Sequence, residues 1–284
     1  MSGMAWNLTD DVESFLAAAG DFLRSRPAEH TVLLTVTETV RLGAPRAYGD
    51  EPRLFGWWTG PGGVPEGAFV LTPPRPVLLT PLPGAAAASL AGLWDLDRPL
   101  PGVTAEQRTA EAFADAWHSR TGAAVSVNRR SRLYRLAELL RPDPLPPGRA
   151  RVATVADREL LLKWFEAFTV DLGASDIGWE RQVDDRLRYG GLTLWEIGGD
   201  PVSLAGVSRT VAGAARVSPV YTPSDLRGRG YAGAATAAVS RAALDAGAGE
   251  VLLFTDLANP TSNALYQRIG YVPVSDRVSL DFRK

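Results

Sequence analysis

The sequence contains no cysteine among its 284 residues. That one absence excludes disulfides, thiolate metal sites and a cysteine nucleophile. Histidine is nearly as scarce. His30 and His118 are the only two, both in the N-terminal half and without a third ligand at suggestive spacing, so no metal site is expected. No apolar run reaches the ~18 residues of a membrane span. The N-terminus carries Asp10, Asp11 and Glu13 where a secretion signal would be basic and then apolar. The expectation is a cytoplasmic protein without a membrane partner. An excess of positive charge is also missing: the formal net charge of −2 argues against a nucleic-acid partner.

What is present is an ordinary globular composition, 45% hydrophobic and 22% charged, with enough chain for two domains. The clearest punctuation lies at residues 141–149, where Pro142, Pro144, Pro146 and Pro147 can continue neither a helix nor a central strand. Read as a stiff linker, this segment predicts an N-terminal domain over 1–145 and a C-terminal domain over 146–284.

In the N-terminal half the pattern predicts a helix over 10–24 and a strand over the β-branched run 31–42. A hairpin follows over 54–58 and 68–72, then a strand over 76–80 and a helix over 85–94. A helix over 104–120, capped by Thr104 and stopped by Gly122, and strands over 125–136 complete it. The C-terminal half predicts helices over 157–168 and 181–189, a hairpin over 192–197 and 201–209, and a strand over 216–222. A helix over 230–246, a strand over 250–255, a helix over 260–269 and a last strand over 278–282 follow. The order implies an α/β fold built on a mixed sheet with a parallel βαβ unit. The two halves read as a divergent duplication on element order alone.

The chemistry concentrates after the 216–222 strand. The chain runs directly into Leu226-Arg-Gly-Arg-Gly-Tyr-Ala232, whose glycines at 228 and 230 open an Ala-rich helix. The first N–H groups of a helix have no partner and carry partial positive charge. Glycines let backbone curl round an anion, and Arg227 and Arg229 add formal charge. This is the physics of a diphosphate cradle. A Walker loop would need Gly-Lys-Ser/Thr, which is absent, and a dinucleotide fingerprint would need a third glycine at the right spacing. The bland alternative is a Gly-rich turn that merely starts a helix. A second segment follows: a strand over 250–255, then Asn259 and Pro260 at a helix start, with Leu265, Tyr266, Ile269, Gly270 and Tyr271 at its close.

With both segments in view, residues from about 149 to 284 resemble the GNAT superfamily of acyl-CoA-dependent N-acyltransferases. The wording near Tyr266 is similar to the two-domain, glycine-N-acyltransferase-like branch. The family's loop pattern is met by Arg227, Gly230 and Ala232, and its later pattern by Asn259, Leu265, Tyr266, Ile269, Gly270 and Tyr271. The resemblance implies tandem GNAT-like domains, of which the N-terminal one, lacking the loop, is degenerate. It implies acetyl-CoA as co-substrate, held by the backbone of Arg227, Gly228, Arg229, Gly230, Tyr231 and Ala232. It also implies that the strand end at Val220, Tyr221 and Thr222 parts from its neighbour at a bulge and pairs with the pantetheine amides. Asn259, Asn263 and Tyr266 would touch the coenzyme, and Tyr266 would protonate the leaving thiolate. Asn259 can equally be a helix cap alone, and Tyr266 a core residue.

The activity implied is transfer of an acetyl group to a primary amine by direct attack in a ternary complex. Without cysteine, an acyl-enzyme route would need a weaker nucleophile. A non-catalytic acyl-CoA sensor is the alternative. Glu196, Asp256 and Tyr221 are the candidates for the base, and the acceptor would be a small-molecule or peptide amine bound by a monomer or homodimer.

Overall fold

The computed structural model describes residues 4–42, 51–98, 100–171 and 179–283. Contacts between Cα atoms divide the chain into two compact units. One comprises residues 1–132, 256–258 and 275–284, and the other residues 133–255 and 259–274.

The first unit begins with β1 (Ala5–Thr9) and α1 (Val12–Arg24). Asp11 caps α1 by accepting the N–H of Ser14 at 2.7 Å, and Phe15, Ala19 and Leu23, four residues apart, form its buried face. The run expected as a strand over 31–42 is instead a helix, α2 (Thr31–Arg41). Its buried Leu33, Val36 and Val40 recur at helical spacing, and that spacing outweighs the β preference of the composition. The threonine hydroxyls that weaken helices are absorbed within it. Thr35, Thr37 and Thr39 each donate to the carbonyl four residues back, all at 2.8 Å.

Next come β2 (Leu54–Thr59), β3 (Pro65–Leu71), β4 (Val77–Leu79), α3 (Gly84–Leu93), β5 (Gly102–Ala105) and α4 (Gln107–Thr121). Thr104 is a strand residue and not the expected helix cap; its hydroxyl meets that of Ser279 at 2.9 Å. The helix stops as predicted at Gly122, which is left-handed at φ 71°. Strand order in this unit is β1-β2-β3-β4-β5, joined at β5 by the end of the last strand of the chain, antiparallel from Val278 to Asp281. Trp6, Trp58, Phe69, Trp94, Phe113 and Trp117 build its core.

A long strand β6 (Ala124–Leu136) leaves the first unit at Arg132 and enters the second at Leu133. The second unit continues with β7 (Arg149–Val152), α5 (Arg158–Asp171), α6 (Trp179–Arg188), β8 (Leu192–Ile197), β9 (Asp200–Val207) and β10 (Ala214–Tyr221). It ends with α7 (Tyr231–Asp245), β11 (Glu250–Asp256), α8 (Pro260–Arg268) and β12 (Tyr271–Arg283), whose last residues return to the first unit. Every element predicted here from 157 onward is present. The division nevertheless falls at Leu133 and not at 145/146, because the proline-rich segment is bound to the second unit. Leu140 donates its N–H to the Ile269 carbonyl at 3.1 Å, and the Trp195 indole donates to the Pro147 carbonyl at 2.9 Å.

The halves repeat one order, βααβββαβαβ, and the strand pairing within each is mixed. β4 runs parallel to β5 across α3, and β10 parallel to β11 across α7. Along β8 and β9 of the second unit, alternate residues face opposite sides. Leu192, Leu194 and Leu204 pack with Leu161, Trp164, Phe165 and Val183 of α5 and α6. Trp195, Ala205, Val217 and Leu253 pack with Tyr231, Ala234, Ala235 and Tyr266 of α7 and α8.

The entry to α5 is pinned by charge. Asp157 accepts the Thr154 N–H at 2.8 Å and both terminal nitrogens of Arg151 at 2.7 Å. The Arg151 guanidinium holds its carboxyl down at about 2. A carboxylate depressed in the folded state stabilises above its unfolded value, and that contribution is lost as pH falls from about 4 through about 2. Asp157→Ala should therefore cost about 1–3 kcal/mol at neutral pH. Denaturant titrations should show wild type and variant converging near pH 2; a gap that persists there would mean that the ion pair is not the source.

Candidate coenzyme site between β10 and β11

The parallel pairing of β10 with β11 runs from Ala214–Glu250 to Val217–Leu253 and stops there. At that point the register of β10 against β9 shifts between Val217 and Val220, so that β10 has one residue more than its partner. A bulge bends its strand, and here the bend carries β10 away from β11. The edge of Val220, Tyr221 and Thr222 that faces β11 thus has no strand opposite it. Beyond it, the Thr222 hydroxyl meets that of Ser203 at 2.8 Å, and the Ser203 hydroxyl also donates to the Tyr221 carbonyl at 3.0 Å. These contacts tie the parted end of β10 to β9.

The gap leads into the loop ahead of α7. Gly228 and Gly230 are left-handed, at φ 77° and 82°, and Gly230 is the residue before the helix. The first turn of α7 presents N–H groups without intrahelical acceptors. A Cβ at Gly228 would meet nothing within 4 Å, and one at Gly230 would find only Pro146, 3.7 Å away. The loop thus leaves room for an anion where its backbone donors lie. Arg229 reaches back to the Asp225 carbonyl at 3.1 Å. Arg227 donates through Nε to the Thr222 carbonyl at 3.0 Å and through Nη2 to Asp171. Ala232 lies half-buried in the first turn. The Tyr231 ring belongs to the core, so this residue can offer the cradle only its backbone.

α8 brings the second group. Asn259 is its cap, accepting the Ser262 N–H at 3.0 Å. Asn263 donates to the Asn259 carbonyl at 2.7 Å and accepts the Tyr134 hydroxyl at 2.9 Å. Both amide groups therefore already hold the start of α8 in place. Tyr134, fully buried on β6, has no signal in the sequence that would have singled it out. Tyr266 is 7% exposed, and its ring meets Tyr271 edge-on at 6.1 Å. Its hydroxyl has no hydrogen-bond partner among the described residues, and burial pushes it up to about 12.

Of the three candidates for the base, two fall elsewhere. Glu196 lies at the end of β8, two strands from the gap. It lines a recess of about 350 Å³ with Gly148, Arg149, Gly198 and Gly199. Arg151 at 2.7 Å and Arg149 at 2.8 Å hold its carboxyl below the usual range, so as a base it is both remote and weakened. Asp256 ends β11 and falls in the first unit, where it accepts the Ala258 N–H at 2.8 Å and pairs with Arg129 at 3.5 Å. Tyr221 stands at the gap itself, on the α5 side against Trp164, their rings 5.9 Å apart. Burial raises its hydroxyl above the ordinary value.

The corresponding junction of the first unit is closed. Between β4 and α3, Pro81 and Pro83 have no N–H to give. The Leu82 N–H is spent on the Thr109 hydroxyl at 3.0 Å, and the Leu82 side chain sits where a Cβ on Gly67 would be, 1.9 Å from it. Calorimetric titration of the intact chain with coenzyme A should therefore give one site per chain. A stoichiometry near two would show that the first unit binds as well.

The comparisons bear on the family and on the fold. Residues 158–271 match the acetyltransferase (GNAT) family. The GCN5-related N-acetyltransferase from Sphaerobacter thermophilus superposes with a TM-score of 0.60 at 18% identity, over 98% of this chain and 95% of that one. A GNAT-family acetyltransferase from Colwellia psychrerythraea superposes with a TM-score of 0.56 at 14% identity, over 99% and 100%. A Drosophila protein reaches 0.68 at 14% identity, over 99% of both chains. At these identities the likeness establishes the fold, and it extends over both halves. No curated protein matches the sequence. The chain carries a domain of the GNAT acetyltransferase family at residues 158–271, a family typically served by acetyl-CoA, within a tandem GNAT-like fold.

Proposed function

We propose that the C-terminal half transfers an acetyl group from acetyl-CoA to a primary amine, by direct attack while both are bound. The observation that carries this reading is the parting of β10 from β11 beyond Val217–Leu253, with the α7 loop at its mouth. The buried Tyr266 supports it from α8. Acetyl-CoA would supply the activated carbonyl. The exposed edge of Val220, Tyr221 and Thr222 binds the pantetheine amides as a missing strand would. One N–H of that edge serves the carbonyl oxygen as negative charge grows on it. The N–H groups from Arg227 to Ala232 hold the diphosphate.

The amine nitrogen forms the new N–C bond as the C–S bond breaks, and most of the rate comes from holding the two together. The nitrogen gives one proton to water before it attacks, since only the neutral amine carries a free lone pair, and a second as the amide forms. No carboxylate among the candidates stands at the gap: Glu196 is remote and held by two arginines, and Asp256 is paired with Arg129. The Tyr266 hydroxyl donates to the departing sulfur. The acceptor is a small-molecule or peptide amine, and the fold alone does not fix which.

Release of free thiol from acetyl-CoA over a panel of primary amines tests the reading. Amine-dependent release supports it. Binding of acetyl-CoA with no release over the whole panel would make the protein a sensor instead.

A further inference from the structure

The α5 side of the gap carries a cluster that the reaction above leaves without a task. Tyr221, at the parted end of β10, packs on Trp164 with ring centroids 5.9 Å apart. Asp171 is the last residue of α5 and pairs with Nη2 of Arg227. Arg227 bridges the cluster back to the loop by donating to the Thr222 carbonyl at 3.0 Å. Tyr221 is the last residue of β10 and Thr222 follows it, so the Arg227–Thr222 contact brings the ion pair to the same end of the strand. The side chains of the ion pair are 49% and 45% exposed, so it can open without leaving a buried charge behind.

The two faces of the sheet divide the labour. α7 and α8, with the loop and Tyr266, cover one face, and α5 and α6, with Trp164 and Tyr221, cover the other. A coenzyme entering by the loop comes from the first side, which leaves the second for the amine.

We infer that Asp171 is the carboxylate that receives the acceptor's ammonium group, with Tyr221 and Trp164 flanking it, and that Arg227 occupies Asp171 until the coenzyme's diphosphate draws the guanidinium away. The inference rests on the reading that the α7 loop binds coenzyme. It defines an acceptor class, since a carboxylate beside aromatic rings selects a cationic amine. It rejects one bearing its own carboxylate next to the nitrogen, which Asp171 would repel. It also defines an order, because the ammonium site is vacated only once coenzyme is bound.

Two measurements on Asp171→Asn, with Asp171→Glu as the conservative control, test it. In calorimetry with acetyl-CoA, the Asn variant should bind about two- to fivefold more tightly than wild type, since no half-exposed pair has to be broken first. In initial-rate assays, phenethylamine, tyramine and agmatine should be acceptors, whereas glycine and phenylalanine should not. The Asn variant should raise the KM for the amine about tenfold or more with the acetyl-CoA KM not increased, and the Glu variant should recover most of it. Weaker or unchanged acetyl-CoA binding in a folded Asn variant overturns the inference, as does an unchanged amine KM, a preference for the amino acids, or no turnover of any of the five. Failure of wild type to bind acetyl-CoA at all overturns the coenzyme reading instead, and calorimetry alone reveals that.

Discussion

Replacing Tyr266 with phenylalanine should lower turnover about 10²-fold while leaving acetyl-CoA affinity within about twofold. The hydroxyl is the only group the substitution removes, and it has no hydrogen-bond partner among the described residues whose loss could loosen the fold. The ring stays in place against Tyr271, so packing is preserved. An ordinary thiol titrates near 8.5, well below the value of about 12 to which burial pushes Tyr266. Full transfer of the proton to a free thiolate would thus run uphill. The hydroxyl acts by donating a hydrogen bond as charge gathers on the sulfur, which sets the effect at the lower end of general acid catalysis. The same high value keeps Tyr266 protonated throughout the ordinary pH range, so the wild-type rate should show no falling limb below about pH 10 that the phenylalanine variant lacks. The measurements are single-turnover thiol release and calorimetry. Wild-type turnover with chemistry rate-limiting would make Tyr266 a packed tyrosine and no more. An equal loss of affinity and turnover would assign it to coenzyme binding.

The parts of this site that were legible in the sequence are those enforced by local backbone chemistry. Gly228 and Gly230 mark the loop because their conformation is left-handed, which ordinary side chains avoid. Asn259 followed by Pro260 marks the start of α8, because a cap and a fixed φ are needed there. The parting of β10 was expected only through the family resemblance, since Val217-Ser-Pro-Val220 carries no unambiguous sign of a bulge. Groups that act through tertiary contact left no trace. Tyr134 reaches Asn263 from a strand 129 residues away, and Asp171 meets Arg227 across 56 residues. Neither spacing has a periodic signature.

The fold divides in the same way. The run 31–42 has the composition of a strand, but its apolar residues recur at helical spacing, and a helix forms because Leu33, Val36 and Val40 have a core to bury in. The prolines at 142–147 mark the absence of regular structure correctly. They do not mark a domain boundary, because carbonyls such as that of Pro147 still accept hydrogen bonds from the second unit.

Gly230→Val should abolish coenzyme-dependent stabilisation. In wild type, acetyl-CoA at about 100 times its Kd should raise the melting temperature by about 5–10 °C, since a ligand that binds only the native state stabilises by about 2.7 kcal/mol there. Two effects of valine separate cleanly. The first is strain: at φ 82° a β-branched residue costs on the order of 1–2 kcal/mol, and its methyl groups press on Pro146, 3.7 Å from the Cβ position. That lowers the melting temperature of the free protein. The second is exclusion, because a branched side chain at the residue before α7 lies where a diphosphate must approach the backbone. This removes the shift on adding ligand. Gly247→Ala isolates the strain, for Gly247 is also left-handed, at φ 90°, with nothing within 4 Å of its Cβ position. It lies just beyond the C-terminal end of α7, away from the loop. The alanine variant should melt lower than wild type yet keep the full ligand shift, and the valine variant should melt lower and lose it. A folded Gly230→Val protein with an undiminished shift would mean that the diphosphate lies elsewhere. Residual binding with unaltered affinity would direct the search to the first unit, where Leu82 now fills the junction.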